Sequence, residues 1–143
     1  MPVIKLSQVI CRPVGEVFAA VVDVESFPRW NPTTKSARRL TDGPAGNGTR
    51  FELEITGFGK TIQELQEFEP NRRVRLVPHI KVMAGGHRFK FIDVGAETHI
   101  DHELEMTPKG LFRLMSPFMG MIGRKNLAAT AAALKQYLEK GAR

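Results

Sequence analysis

From Thr34 to Met106 the chain runs in short stretches of alternating apolar and polar residues joined by turn sequences, with no helical period between them. Strands that follow one another this way, without a connection long enough for a helix, pair antiparallel with their neighbours in a meander. Phe51, Leu53 and Ile55 alternate with Glu52, Glu54 and Thr56, so this strand buries one face and wets the other. Gly57-Phe58-Gly59 turns the chain and Thr61 to Phe68 returns. Glu69-Pro70-Asn71 makes the next turn, and Arg73 to Val77 is another strand. Asp42 to Gly48 is a loop on composition; Asn47-Gly48-Thr49 matches a glycosylation acceptor and reads as a turn.

The last hairpin suggests its own register. Phe89 and Phe91 alternate with Arg88 and Lys90; Thr98, Ile100, Leu104 and Met106 alternate with His99, Asp101, Glu103 and Glu105. A turn centred on Val94-Gly95 pairs Phe91 with Thr98 and Phe89 with Ile100, and sets Arg88 opposite Asp101 as a charge pair. His87 then lies directly opposite His102 on the inward face.

Helical signals flank the meander. Val3 to Ile10 is a first strand, and a helix begins at Pro13, whose missing N–H costs nothing there. Val14, Val17, Phe18, Val21 and Val22 form its apolar stripe. Asp23 caps a short second helical turn that Pro28 and Pro32 keep from extending, and Trp30 between them plugs one end of the core. Lys109 to Lys140 is helical in period. Leu111, Leu114, Met115, Phe118, Met119 and Ile122 share one stripe, continued by Ala129, Ala133 and Tyr137 and widened by Leu127, Ala131, Leu134 and Leu138. Pro117, Gly120 and Gly123 predict a first half that is kinked or separate from the second. The whole, residues 1–143, reads as one α+β domain.

Composition excludes several classes. With 42% hydrophobic and 25% charged residues the chain is globular in character. No apolar run reaches the roughly 20 residues of a membrane-spanning helix. Met1 to Cys11 lacks the pattern of a signal peptide, so the expected location is the cytoplasm. The single cysteine, Cys11, rules out an internal disulfide and reads as a small buried hydrophobe. The net charge of +6 is spread among interleaved acids, without a basic stripe or a nucleic-acid-binding motif, so no nucleic-acid partner is expected.

The order strand, two short helices, antiparallel strands and one terminal helix resembles the Bet v 1-like, START-related (SRPBCC) domains. Local stretches are similar to the polyketide cyclase/dehydrase and lipid-transport family. They are Arg12-Pro13-Val14-Gly15-Glu16-Val17-Phe18, Phe27-Pro28-Arg29-Trp30-Asn31-Pro32, Gly48-Thr49-Arg50-Phe51, Phe68-Glu69-Pro70, Gly86-His87-Arg88-Phe89 and Gly110-Leu111-Phe112. The resemblance implies a helix-grip fold: a curved seven-stranded antiparallel sheet around the long C-terminal helix, enclosing a cavity for apolar small molecules. It does not imply one chemistry, because members range from aromatase/cyclases to carriers and stress-related regulators.

On that fold the candidate ligand-binding residues are Phe18, Trp30, Phe51, Leu53, His87, Phe89, Phe91, Ile100, His102, Met115, Phe118, Met119, Ile122 and Asn126. His87, His102 and Asn126 form the polar end, and the methionines suit a movable lid. His99 and His102 look like a metal pair, but on a strand they point to opposite faces. No metal, cofactor or catalytic residue is expected. Glu64 faces inward on a regular return strand and outward if a bulge intervenes between Ile62 and Leu65; the cost of an unpaired buried carboxylate favours the bulge. The leading function is binding or carriage of an apolar aromatic or acyl ligand, by a monomer or homodimer. The alternatives are a cyclase/dehydratase-type enzyme using His87 or His102 as acid/base, and a stress-related protein-interaction module.

Overall fold

A computed structural model describes residues 3–56, 59–79, 83–108, 110 and 116–141. The first strand β1 is Val3–Ile10, followed by α1 at Val14–Val22, a 3-10 turn at Val24–Ser26 and the single-turn α2 at Phe27–Trp30. The strands β2 (Thr34–Arg39), β3 (Arg50–Ile55), β4 (Gly59–Glu69), β5 (Arg73–His79), β6 (Met83–Asp93) and β7 (Thr98–Pro108) come next, and α3 spans Ser116–Gln136. A final π-type turn covers Tyr137–Gly141. The seven strands form one antiparallel sheet in the order β1-β7-β6-β5-β4-β3-β2, so the meander is intact and the N-terminal strand closes onto the last one.

Glycine sets two features of this frame. Gly85 and Gly86 in β6 adopt φ of 119° and 140°, and a Cβ on either would overlap a backbone carbonyl, that of Glu105 or of Leu76. Pairing of β5 with β6 stops at Leu76 and His87, beside this kink, while β6 continues along β7 to Pro108. Gly123 is the other. A Cβ there would run into the side-chain tips of Met106 and Ile4, so its absence lets α3 settle on β7 and β1. Gln8 Nε2 then donates to the Ala131 carbonyl at 3.0 Å, and Lys135 Nζ donates to the Val9 carbonyl.

This seating corrects the expected helix face. Gly123, Leu127, Thr130, Ala131, Leu134 and Leu138 are buried, whereas Asn126 and Ala129 are exposed. The residues expected to widen the stripe are the buried stripe itself, because close approach at Gly123 rotates that side toward the sheet. Pro117 is the second described residue of α3, and the kink or break expected in the first half falls on residues 111–115, outside the described residues. Leu111, Leu114 and Met115 lie outside the described residues, as do the side chains of Phe118, Met119 and Ile122.

The hairpin of β6 and β7 carries the second correction. Asp93 pairs with Thr98, Phe91 with Ile100, Phe89 with His102, Arg88 with Glu103 and His87 with Leu104. The turn is centred one residue later than predicted, closed by the Val94 N–H donating to the Glu97 carbonyl, so each residue of β6 meets a partner two positions further along β7. A shift of two preserves which residues face inward and changes every partner.

Candidate functional site

The inward face is built by strand parity. Phe51 pairs with Gln63, Leu53 with Thr61, Leu65 with Leu76, Val74 with Phe89 and Phe91 with Ile100, and all of these are buried. On β3 to β7 the inward-facing side chains among the described residues are uncharged. Phe18 reaches down from α1 and meets Phe91 edge-on at 5.2 Å and Phe68 at 5.4 Å between centroids. Trp30 stacks on Tyr137 at 6.2 Å and meets Phe27 edge-on at 5.0 Å, which joins α2 to the end of the C-terminal helical segment.

On β6 and β7, at one side of this wall, the two histidines touch. They are diagonal rather than opposite, one rung apart, and Nδ1 of His87 lies 2.9 Å from Nε2 of His102. Phe89 stacks on His102 with centroids 4.0 Å apart, and His87 stacks on Phe89 at 6.3 Å. Burial lowers the pKa of His87 to about 4. Burial also pushes His102 well below 6.5, and the neighbouring His87 adds to that effect. Both rings are therefore neutral at pH 7, with one N–H directed along the line between them. His99, three residues before His102, is exposed on the other face, so the pair cannot chelate a metal. Among the described residues no three His, Cys, Asp or Glu side chains converge.

Polar groups that sequence reasoning did not select occupy the same face on β4. Thr61 and Gln63 are each only 6% exposed, and Thr61 Oγ1 and Gln63 Oε1 have no hydrogen-bond partner among the described residues. Arg39 ends β2 opposite Phe51; its guanidinium donates to the Gly43 carbonyl, yet its Nε is enclosed and has no partner among the described residues. Trp30 Nε1 is likewise enclosed and has no partner among the described residues. The available signal was the length of the turn before β4. Ile55 pairs with Gly59, which puts Thr61 and Gln63 in phase with Leu65 and sends Ile62 and Glu64 outward. The expected bulge between Ile62 and Leu65 is not there; the register shift falls between Gln66 and Glu69, where Glu67 has a φ of 50°. Glu64 faces away from the interior all the same. Gln66, Arg50 and His79 hydrogen-bond it and hold its carboxyl below the usual range.

The predicted site residues therefore separate. Phe18, Phe51, Leu53, His87, Phe89, Phe91, Ile100 and His102 share the inward side, and Trp30 closes one end. Asn126 is corrected: it points to solvent, since it sits outside the face that Gly123 and Leu127 turn to the sheet. Met115 lies outside the described residues, and of Phe118, Met119 and Ile122 only the helical backbone is described. Cys11, expected to be buried, is exposed just past β1; its N–H donates to Glu139 Oε2 at 2.8 Å.

Comparison with known proteins gives a consistent family. The profile of the family described as polyketide cyclase/dehydrase and lipid transport matches residues 1–139. A search of curated proteins finds no match. Among solved structures, a START superfamily protein from Mycobacterium smegmatis superposes with a TM-score of 0.83 at 18% identity, over 96% of this chain and 97% of that one. The ZhuI aromatase/cyclase from Streptomyces sp. R1128 gives 0.73 at 13% identity, over 99% and 96%. Ara h 8.0201 gives 0.70 at 14% identity, over 95% and 96%. At these identities the likeness establishes the fold.

Proposed function

Because the chain belongs to the polyketide cyclase/dehydrase and lipid transport family, we propose that it binds or carries an apolar small molecule, aromatic or acyl, between the concave face of its sheet and α3. The observation that carries this reading is the uncharged inward wall of β3 to β7, which includes a histidine pair held neutral by burial. Such a wall offers apolar area with a few orienting polar atoms, the usual make-up of a small-molecule site.

The same pair argues against the cyclase/dehydratase reading. An imidazole with a pKa near 4 is a weak base at pH 7 and carries no surplus proton to donate, far from the matched value that acid–base catalysis favours. Other features support the remaining details of the proposal. The outward face neutralises its arginines in cross-strand pairs, Arg88 with Glu67 at 3.2 Å and Arg75 with Glu105 at 3.7 Å, which suits a protein without a nucleic-acid partner. No helix among the described residues is long and apolar enough to cross a membrane. An exposed, unpaired Cys11 fits the reducing cytoplasm. We take residues 1–143 as one domain, acting as a monomer or homodimer.

Native mass spectrometry of protein purified from its own source tests the proposal, together with titration by the neutral fluorescent probe N-phenyl-1-naphthylamine. A co-purifying mass released on activation, and probe fluorescence that this compound displaces, are expected. A bare chain that also fails to enhance the probe would sink it.

A further inference from the structure

Resting on that ligand-binding reading, we infer that Thr61 and Gln63 form a second polar subsite on β4 that seats a hydroxyl group of a rigid, apolar ligand.

The two residues are consecutive inward positions of one strand, about 7 Å apart along it. Phe51 and Leu53 flank them on β3, and on the β5 side Gln63 pairs with Pro78. Each is 94% buried, and each leaves a polar oxygen without a partner among the described residues. An enclosed oxygen of this kind costs about 1–3 kcal/mol unless something satisfies it. Nothing in the strand pairing requires a polar residue at these positions, since Leu65 fills the next inward position with hydrocarbon. A threonine followed by a glutamine is therefore a matched set of groups waiting for a polar partner. A hydroxyl fits it best: it both donates and accepts, so it meets the Gln63 amide in either orientation and the Thr61 hydroxyl beside it. A carboxylate fits worse, because Thr61, Gln63 and the neutral histidines supply no charge to balance it. Among the described residues of this face the cation on β2 is Arg39, on the far side of Phe51 and already bonded to Gly43.

The subsite is distinct from the histidine pair. Gln63 is on β4 and His87 on β6, with Leu76 of β5 between their strands, so the two polar positions are about 10–12 Å apart across the sheet. A ligand that spans both carries polar groups at two ends of an extended apolar body. A short ligand occupies one.

Displacement of N-phenyl-1-naphthylamine by 2-naphthol, 2-methylnaphthalene and 2-naphthoate tests the inference, since the three differ only in the group offered to the subsite. The wild-type chain should prefer 2-naphthol to 2-methylnaphthalene by about tenfold, the worth of one satisfied buried hydrogen bond. In the Thr61→Val/Gln63→Leu double variant the preference should shrink to about twofold or less. Gln63→Leu alone should raise the thermal midpoint of the ligand-free protein, because it removes an unpartnered amide. A lower midpoint shows that the amide holds the fold together, and overturns the inference. Equal binding of 2-naphthol and 2-methylnaphthalene overturns it too, as does tightest binding of 2-naphthoate that Arg39→Gln abolishes. If none of the three displaces the probe, the ligand-binding reading itself fails rather than the subsite alone.

Discussion

Nδ1 of His87 lies 2.9 Å from Nε2 of His102, although His87 pairs across the sheet with Leu104 and His102 with Phe89. Leu76, Leu104, Phe89 and Leu6 surround the pair, and among the described residues of those strands no charged group faces it. A proton added to either ring would place a cation in a hydrocarbon wall. The unfolded chain takes up that proton near pH 6.5, whereas folded His87 resists it until about pH 4.

Stability should therefore be full above pH 6.5 and fall as the pH drops through the interval to 4, because the unfolded state binds more protons there. For His87 the slope approaches about 1.4 kcal/mol per pH unit within that interval, and His102, also held well below 6.5, steepens it. Glu64 and Glu139, both held below 4.5, lose their contributions at lower pH, so the upper part of the interval belongs to the histidines. Urea midpoints measured across the interval check this, and His87→Leu/His102→Leu should flatten the curve. An unchanged slope in that variant would assign the pH dependence elsewhere.

Gly123 offers a test of sign. If it only weakened α3, replacement by leucine would stabilise the helix by about 0.8–1 kcal/mol. Because its missing Cβ makes room for Met106 and Ile4, Gly123→Leu should instead cost about 1–3 kcal/mol in chemical denaturation.

Gly86 and Gly95 both have positive φ, 140° and 86°, but only Gly86 lies against backbone. Gly86→Ala should cost about 3 kcal/mol, since the Leu76 carbonyl has no flexible end to yield. Gly95→Ala, in open space at the hairpin turn, should cost only about 1–2 kcal/mol of backbone strain. Equal losses in thermal denaturation would contradict the crowding at Gly86.

Adjacent residues of α3 should behave as opposites. Leu127→Ala is expected to cost about 2–5 kcal/mol, while Asn126→Ala should stay within about 0.5 kcal/mol and leave binding of N-phenyl-1-naphthylamine unaltered. A large effect at Asn126 would restore it to the interior.

The strands were legible because their signal is local: alternation at Phe51, Leu53 and Ile55, or at Phe89 and Phe91, reports burial of one face whatever lies beyond it. Register and helix rotation are not local. The β6–β7 pairing depends on how tightly four residues close between Asp93 and Thr98, and the buried face of α3 depends on a glycine meeting a methionine on another element. Thr61 and Gln63 escaped notice for a related reason. Hydropathy favoured Ile62 as the inward residue, and only the pairing of Ile55 with Gly59 reverses that choice.

The sheet order has a consequence for how the protein is made. β1 pairs with β7 alone, Val3 opposite Glu105 and Ile10 opposite Thr98, and its other bonds run to Ala131 and Lys135 on α3. β1 thus leaves a ribosome well ahead of β7 and has no partner in the sheet until β2 to β7 have followed it. Local hairpins from β2 to β7 can assemble during synthesis, but the edge that receives β1 exists only when the last strand does. During that wait Val3, Ile4, Leu6 and Val9 stand on an unpaired strand, so the interval between synthesis of β1 and of β7 is a time of sensitivity to aggregation.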